Sequence, residues 1–102
     1  MFVPKYGIIS RKTLIEFYNK NPDAKGQIEA WYKEAKRAKW KTPSDIKAQY
    51  RNVSFVKSSR VVFNICGNKY RLVVKIHYQA QIGFIRFIGS HEEYDKINVE
   101  EI

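Results

Sequence analysis

The chain reads as an α+β protein of two layers, N-terminal helices packed on one face of an antiparallel β-sheet of three to four strands. Three observations carry that reading. Apolar residues in the first half recur at helical spacing, from Arg60 onward they form strand-like runs, and a Gly67-Asn68 pair divides two of those runs as a hairpin turn would. A length of 102 residues fits one domain, 1–102, with no room for a second core.

Ile8 and Ile9 suggest a short strand. Ser10 follows as an N-cap, its hydroxyl able to accept from the free N–H groups of a first helical turn, and Leu14, Ile15, Phe17 and Tyr18 supply that helix's apolar positions. Asn21-Pro22 ends this helix and starts the next, with Asn21 as cap and Pro22 at the first helical position. Ile28, Trp31, Tyr32 and Ala35 then recur at i, i+3, i+4 and i+7, while Lys25, Lys33, Lys36 and Arg37 mark a solvated face. Thr42-Pro43-Ser44-Asp45 opens a third helix, with Thr42 as cap and Asp45 near the positive end of its dipole. That helix is short, because Asn52 to Val56 already has an extended pattern.

Val61 to Cys66 and Lys69 to Tyr78 flank the Gly67-Asn68 turn, and a second return around Gln79 to Gln81 leads to Ile82 through Gly89. A two-residue turn sets Cys66 opposite Lys69, Asn64 opposite Arg71, Val62 opposite Val73 and Arg60 opposite Lys75. Alternation then gathers Arg60, Asn64, Arg71, Lys75 and His77 on one side, and Val61, Phe63, Ile65, Leu72, Val74 and Ile76 on the other. An even second turn pairs His77 with Ile82 and Val73 with Arg86, adding Arg86 to the basic side and Ile85 and Phe87 to the core. An odd turn inverts the strand and exposes both, so the even one is expected. Helices over the apolar face leave the cationic face open.

Charge gives the first functional clue. Nineteen Lys and Arg against ten Asp and Glu give +9, and no acidic residue falls between Ile46 and His91, where eight cations do. Such a field concentrates a polyanion, so nucleic acid is the leading partner and an acidic protein the second. No apolar run approaches the ~20 residues of a bilayer span, so no membrane partner is expected, and Met1-Phe2-Val3-Pro4-Lys5-Tyr6 lacks the pattern of a secretion signal. Cys66 is the single cysteine, expected as a small buried thiol at the end of its apolar run. These features suit the cytoplasm.

No cofactor is expected, for the chain has no Gly-rich phosphate loop. No metal is expected either: His77 and His91 are the only histidines, and Glu92, Glu93 and Asp95 make no metal-specific spacing. Pairing Cys66 with a histidine as nucleophile finds no local motif. An acid–base and electrostatic site remains. Cleaving RNA without a metal needs a base for the 2′-hydroxyl, an acid for the leaving 5′ oxygen and cations for the charge on phosphorus. Arg71 and Arg86 can meet a phosphate with a bidentate fork, and Lys75 adds a point charge. His91 and Tyr94 lie just beyond the last strand, within reach of the rim of the basic face, and His is the natural proton-transfer group near neutrality. His91 as an exposed residue or helix N-cap, and Tyr94 as a packed aromatic, are the structural alternatives. On these grounds the chain is an RNA-binding or RNA-cleaving module.

Two segments then carry a resemblance. Arg60-Val61-Val62-Phe63-Asn64-Ile65-Cys66-Gly67-Asn68-Lys69-Tyr70-Arg71-Leu72-Val73 resembles the V-F-N-I-x-G-N-x-x-R-L-V stretch of the HigB toxins. Phe84-Ile85-Arg86-Phe87-Ile88-Gly89-Ser90-His91-Glu92-Glu93-Tyr94-Asp95 is similar to their I-R-x-x-x-T-H-x-E-Y-D ending, with Ser90 where Thr is common. The resemblance implies a RelE-like fold and cleavage of messenger RNA, usually in the ribosomal A site. It also implies inhibition by a co-expressed HigA-like helix-turn-helix antitoxin, with DNA reached only through that antitoxin. Asn64, Arg71 and Arg86 fall in the strand motifs and His91, Tyr94 and Asp95 in the C-terminal one. Acid and base assignments vary among RelE-like toxins, so Lys57, His91, Tyr94 and Asp95 all stand as proton-transfer candidates.

The expected activity is therefore a metal-independent endoribonuclease. Arg71, Arg86, His91 and Tyr94 form the expected catalytic group, and Lys57, Arg60, Asn64, Lys75 and His77 the RNA-binding group. Two rivals use the same cationic face: a non-catalytic RNA- or ribosome-binding module, and a RelE-like toxin acting on a protein such as a topoisomerase. Stacking aromatics would favour the binding module, and Phe84 is the only aromatic expected on that face.

Overall fold

A computed structural model describes residues 6–102. The segment Met1–Lys5, weighed above for a secretion signal, lies outside the described residues. Elements run β1 (Gly7–Ile9), α1 (Arg11–Lys20), a 3-10 turn (Pro22–Ala24), α2 (Lys25–Arg37), α3 (Pro43–Gln49), β2 (Ser54–Val56), β3 (Arg60–Ile65), β4 (Tyr70–His77), β5 (Ile82–Ser90) and α4 (His91–Tyr94). One five-stranded sheet has the order β1-β5-β4-β3-β2, with β1 parallel to β5 and every other pair antiparallel. The sheet thus exceeds the expected three to four strands and is mixed. The Ile8–Ile9 run adds beside β5, and the extended stretch before Lys57 adds beside β3.

Local chemistry sets the helix limits. Ser10 Oγ accepts from Lys12 N at 3.2 Å and opens α1. Asn21 turns its amide back to the Phe17 carbonyl (3.1 Å), closing α1 rather than capping the next helix, so Pro22 starts only a 3-10 turn before α2. At α3 the Asp45 carboxylate accepts from Lys41 N and Thr42 N (2.8 and 3.0 Å), which holds its carboxyl below the ordinary range.

The core lies between helices and sheet. Phe63 is its hub, with ring centroids 5.3 Å from Trp31, 6.1 Å from Trp40 and 5.1 Å from Tyr50, above buried Leu14, Ile28, Ile46, Leu72 and Ile76. Burying each such side chain stabilises the fold by about 1.5–3 kcal/mol. Tyr6 joins by donating to the Trp40 carbonyl (3.1 Å), and burial pushes its phenol up to about 12.

The β3–β4 register is the expected one: Asn64 opposes Arg71, Val62 opposes Val73 and Arg60 opposes Lys75, with Lys69 N bonded to Cys66 O at 3.1 Å. Left-handed backbone falls on Cys66 (φ 54°) and Gly67 (φ 67°), so Cys66 belongs to the turn. It is half-buried, with Sγ 3.6 Å from the Asp23 carbonyl, and is not the enclosed thiol expected.

The β4–β5 ladder starts as expected, His77 opposing Ile82, and holds to Val74 opposite Ile85. There the register shifts, and Val73 opposes Phe87 rather than Arg86. A β-bulge has inserted Arg86 as the extra residue, and one extra residue reverses the parity of all that follows. Ile85 packs against the core as expected, but Phe87 does not; Ile88 takes its place.

Nor is the second face of the sheet fully open. Val62 and Val73 lie opposite the helices yet are 3% and 0% exposed. The chain after α4 returns across this face from the Tyr70 end of β4 to Arg60. Half-buried Tyr94, Ile97, Val99 and Ile102 lie along that path, the apolar spacing that a covering strap needs. Among the described residues no helix is long and apolar enough to cross a membrane.

Candidate active site

The candidate residues fall into two groups at opposite ends of β4. At the Tyr70 end, β4 presents Arg71 and α4 presents His91 and Tyr94. The placement of α4 is built from short-range bonds. Ser90 Oγ accepts from Glu93 N at 3.1 Å, and Glu93 Oε1 accepts from Ser90 N at 2.9 Å. That second bond is the main cause of a Glu93 carboxyl held below its usual range. His91 N donates to the Lys69 carbonyl at 3.0 Å, tying the helix start to the β3–β4 turn. Ser90 is therefore the cap, and His91 occupies the first helical position with its ring exposed.

This arrangement brings Arg71 and Tyr94 together, the guanidinium carbon 5.9 Å from the phenol ring centroid. Arg71 Nη1 donates to the Asn68 carbonyl at 3.1 Å, which fixes the fork while leaving its other N–H groups available to an anion. Tyr94 also meets Phe87, ring centroids 6.3 Å apart. His91 Nε2 lies 3.4 Å from Asp95 Oδ2, a neighbour that orients the imidazole. Arg86 is exposed at the bulge, next to Phe87 and without a partner on β4, with two residues of β5 between it and Gly89, the partner of Arg71.

At the other end, Lys57 lies exposed in the β2–β3 turn, and Lys75 and His77 lie exposed on β4. His77 Nδ1 accepts from Ala80 N at 3.1 Å, so this ring braces the β4–β5 turn. Asn64, opposite Arg71 and so at the first end rather than this one, is half-buried and donates from Nδ2 to the Asn52 carbonyl at 3.4 Å. Arg60 is not on an open face. It is 8% exposed, donating from Nη1 to Ser58 O at 2.9 Å and from Nε to Ile102 O at 3.1 Å, with Nη2 bonded to the same oxygen. Covering by the C-terminal segment has turned an expected RNA contact into a main-chain clamp.

A third set supports the turn from behind. The Asp23 carboxylate accepts from Lys69 Nζ (2.5 Å) and Tyr70 OH (2.9 Å), and Gln27 Oε1 accepts from Cys66 N (2.8 Å). The Lys69 ammonium, foremost, holds the Asp23 carboxyl below its ordinary range. Residue spacing gave no sign of Asp23 or Gln27, and marked Asn68 only as a turn residue rather than as the acceptor for Arg71, because these roles depend on neighbours set by the tertiary fold. Phe87 was hidden by the bulge. Among the described residues no group of three or more His, Cys, Asp or Glu gathers as a metal site would require.

The fold and this site define a class: a small, strongly basic α+β protein with an arginine, a histidine and a tyrosine at one rim of its sheet. The model of the HigB toxin family, the RelE-like toxic component of a toxin–antitoxin system, matches residues 24–97, and the chain belongs to that family. It is 29% identical over 90 residues to the mRNA interferase toxin HigB of Escherichia coli (strain K12), covering 86% of each chain. The mRNA interferase HigB of Shigella flexneri gives the same figures, and that of Escherichia coli O6:H1 is 26% identical over 92 residues, covering 88% of this chain and 89% of the relative.

Proposed function

We propose that this chain is the toxin of a type II toxin–antitoxin pair and acts as a metal-independent endoribonuclease on messenger RNA. The supporting observation is the convergence of Arg71, Tyr94 and His91 at one rim of a basic sheet face. Arg71, with Arg86, binds the scissile phosphate and stabilises the charge that grows on phosphorus. His91 transfers the proton between the 2′-hydroxyl and the leaving 5′ oxygen, held in orientation by Asp95, and Tyr94 positions the RNA or shares that transfer. Lys57, Asn64, Lys75 and His77 extend the RNA path along the sheet.

The single domain, 1–102, acts in the cytoplasm, at the ribosomal A site. It is neutralised by a HigA-like helix-turn-helix antitoxin that alone contacts DNA. The test is brief induction without antitoxin and mapping of RNA 5′ ends, with Arg71→Ala alongside. New cuts within translated messages should appear and fall about 10²–10³-fold in the variant. A variant that cuts as well as the parent refutes the site.

One observation favours the non-catalytic RNA-binding reading: Phe87 and Tyr94 add aromatic surface where only Phe84 was expected. RNA protection without new 5′ ends would select it. Growth arrest with DNA damage and intact RNA would select a protein target such as a topoisomerase.

A further inference from the structure

β2 begins at Ser54, opposite Val62, so the Phe63–Ile65 part of β3 has β4 on one side and no strand on the other. The gap is a cleft of about 410 Å³ bounded by α2, the 49–53 segment and the Gly67 turn. It opens into a second hollow of about 600 Å³, the two sharing Arg51, Asn52, Val53, Asn64 and Gly67. These are the dimensions of small-ligand sites.

We propose that this cleft is a nucleotide subsite that holds one unpaired nucleotide of the RNA beside the scissile phosphate. The inference rests on the RNA reading of the Arg71 site and extends it from Asn64 to a surface which that reading otherwise does not use.

The lining matches the chemistry of a base and its phosphate. Half-buried Tyr50 contributes aromatic wall beside Trp31 and Phe63, each only 2% exposed, and the Trp31 indole N–H is buried with no acceptor among the described residues. Amides supply the edge-reading groups. Gln27 and Gln49 spend their oxygens on Cys66 N and Trp40 Nε1, which leaves their NH2 groups as donors. Asn64 spends its NH2 on the Asn52 carbonyl and leaves its oxygen as acceptor, while the Asn52 side chain makes no hydrogen bond among the described residues. Donors and acceptors around an aromatic wall are what reads the edge of a splayed base.

Charge orients the occupant. Glu34, itself exposed, lines the cleft but not the outer hollow; its carboxylate accepts from Tyr50 OH at 2.7 Å and repels a phosphate from that end. Lys47 and Arg51 line the outer hollow, and Arg51 makes no ion pair among the described residues. The base therefore enters and its phosphate stays at the mouth. The outer hollow reaches Asn68, whose carbonyl holds Arg71, so an RNA strand on the Arg71 site is already at its edge. The outer hollow, lined by amides and cations with Val53 its one aliphatic side chain, favours RNA over an apolar antitoxin segment.

Arg51 and Asn52 are exposed, so Arg51→Gln and Asn52→Ala leave the core untouched. Cut-site mapping in cells would be joined to titration of purified protein with short single-stranded RNA of mixed sequence and with antitoxin. Asn52→Ala should flatten base preference at one position beside the cut by about tenfold, the worth of one good base contact. Arg51→Gln should weaken RNA binding severalfold and lower its salt dependence by about one phosphate contact. An actively cutting parent whose variants keep its cut profile and RNA affinity overturns the subsite. So does loss of antitoxin binding with RNA behaviour unchanged, which reassigns the cleft to protein docking. If the parent binds RNA without cutting it and both variants bind more weakly, the subsite stands and the nuclease reading falls.

Discussion

Replacing Arg60 with alanine separates a clamp from an RNA contact. The guanidinium makes three bonds to two main-chain oxygens, those of Ser58 and Ile102, in a setting only 8% exposed. Hydrogen bonds from a charged donor contribute about 1.5–3 kcal/mol each. The two bonds to Ile102 share one acceptor and count as one, and the exposed Ser58 carbonyl recovers part of its loss from water. The expected loss is then about 3 kcal/mol, or a fall in Tm of roughly 12 °C or more for a chain of this size. Releasing the Ile102 end also uncovers Val62 and Val73, so amide exchange should accelerate over 95–102. Arg60→Lys should recover little, since one ammonium cannot reproduce the fork. Thermal unfolding with hydrogen exchange is the assay. A Tm within about 2 °C of the parent, with unchanged exchange and weaker RNA binding, would refute the clamp and restore Arg60 to the RNA path.

Tyr94→Phe retains the ring that meets Arg71 and Phe87 and removes only the hydroxyl. Single-turnover cleavage reduced less than about tenfold assigns Tyr94 to positioning, whereas a loss of ~10²-fold or more assigns it proton transfer. A Cβ added at Gly89 would stand 2.7 Å from Phe87 Cζ and 3.1 Å from Glu93 Oε1. Gly89→Ala should therefore displace Phe87 and cost about 1–3 kcal/mol in denaturant unfolding; an unchanged midpoint contradicts the packing described. Asp23 has a depressed pKa, so its contribution to stability is full above the ordinary carboxylate range and is lost as pH falls through the depressed value. Asp23→Asn should lower Tm near neutrality and converge on the parent in acid. Parallel Tm curves for the two proteins would show that the Lys69 contact contributes nothing.

Periodicity carried most of the fold because it reports burial directly. The Ile28, Trp31 and Ala35 stripe and the alternation from Val61 to Ile76 each identify a face that must be covered, and Ser10 and Asp45 act as caps by local chemistry alone. The register of β3 on β4 followed from one turn. What escaped was set by tertiary context. A bulge leaves alternation intact on both sides of itself, so nothing in the residues around Arg86 signals the change of parity that moves Phe87. The covering of Val62 and Val73 depends on an eight-residue run after Tyr94 whose apolar positions are too sparse to read as an element. For the candidate site, proximity of Arg71 to the C-terminal motif was legible as two separate motifs. The contact between them needed the Ser90 cap and the Lys69 carbonyl.

The placement of β1 has a consequence for how the chain reaches this state. Gly7 pairs with Ile82, and Ile9 with Phe84, so β1, the first strand among the described residues, has no partner until β5, the last of them, exists. Such a distant pairing is slow to find compared with the hairpins, whose partners are close along the chain. The β3–β4 and β4–β5 hairpins therefore have the means to form first, and the N-terminal strand completes the sheet afterwards. A growing chain can hold its helices and its central hairpin before that edge is closed, and agents that trap an unpaired strand have their opening in that interval.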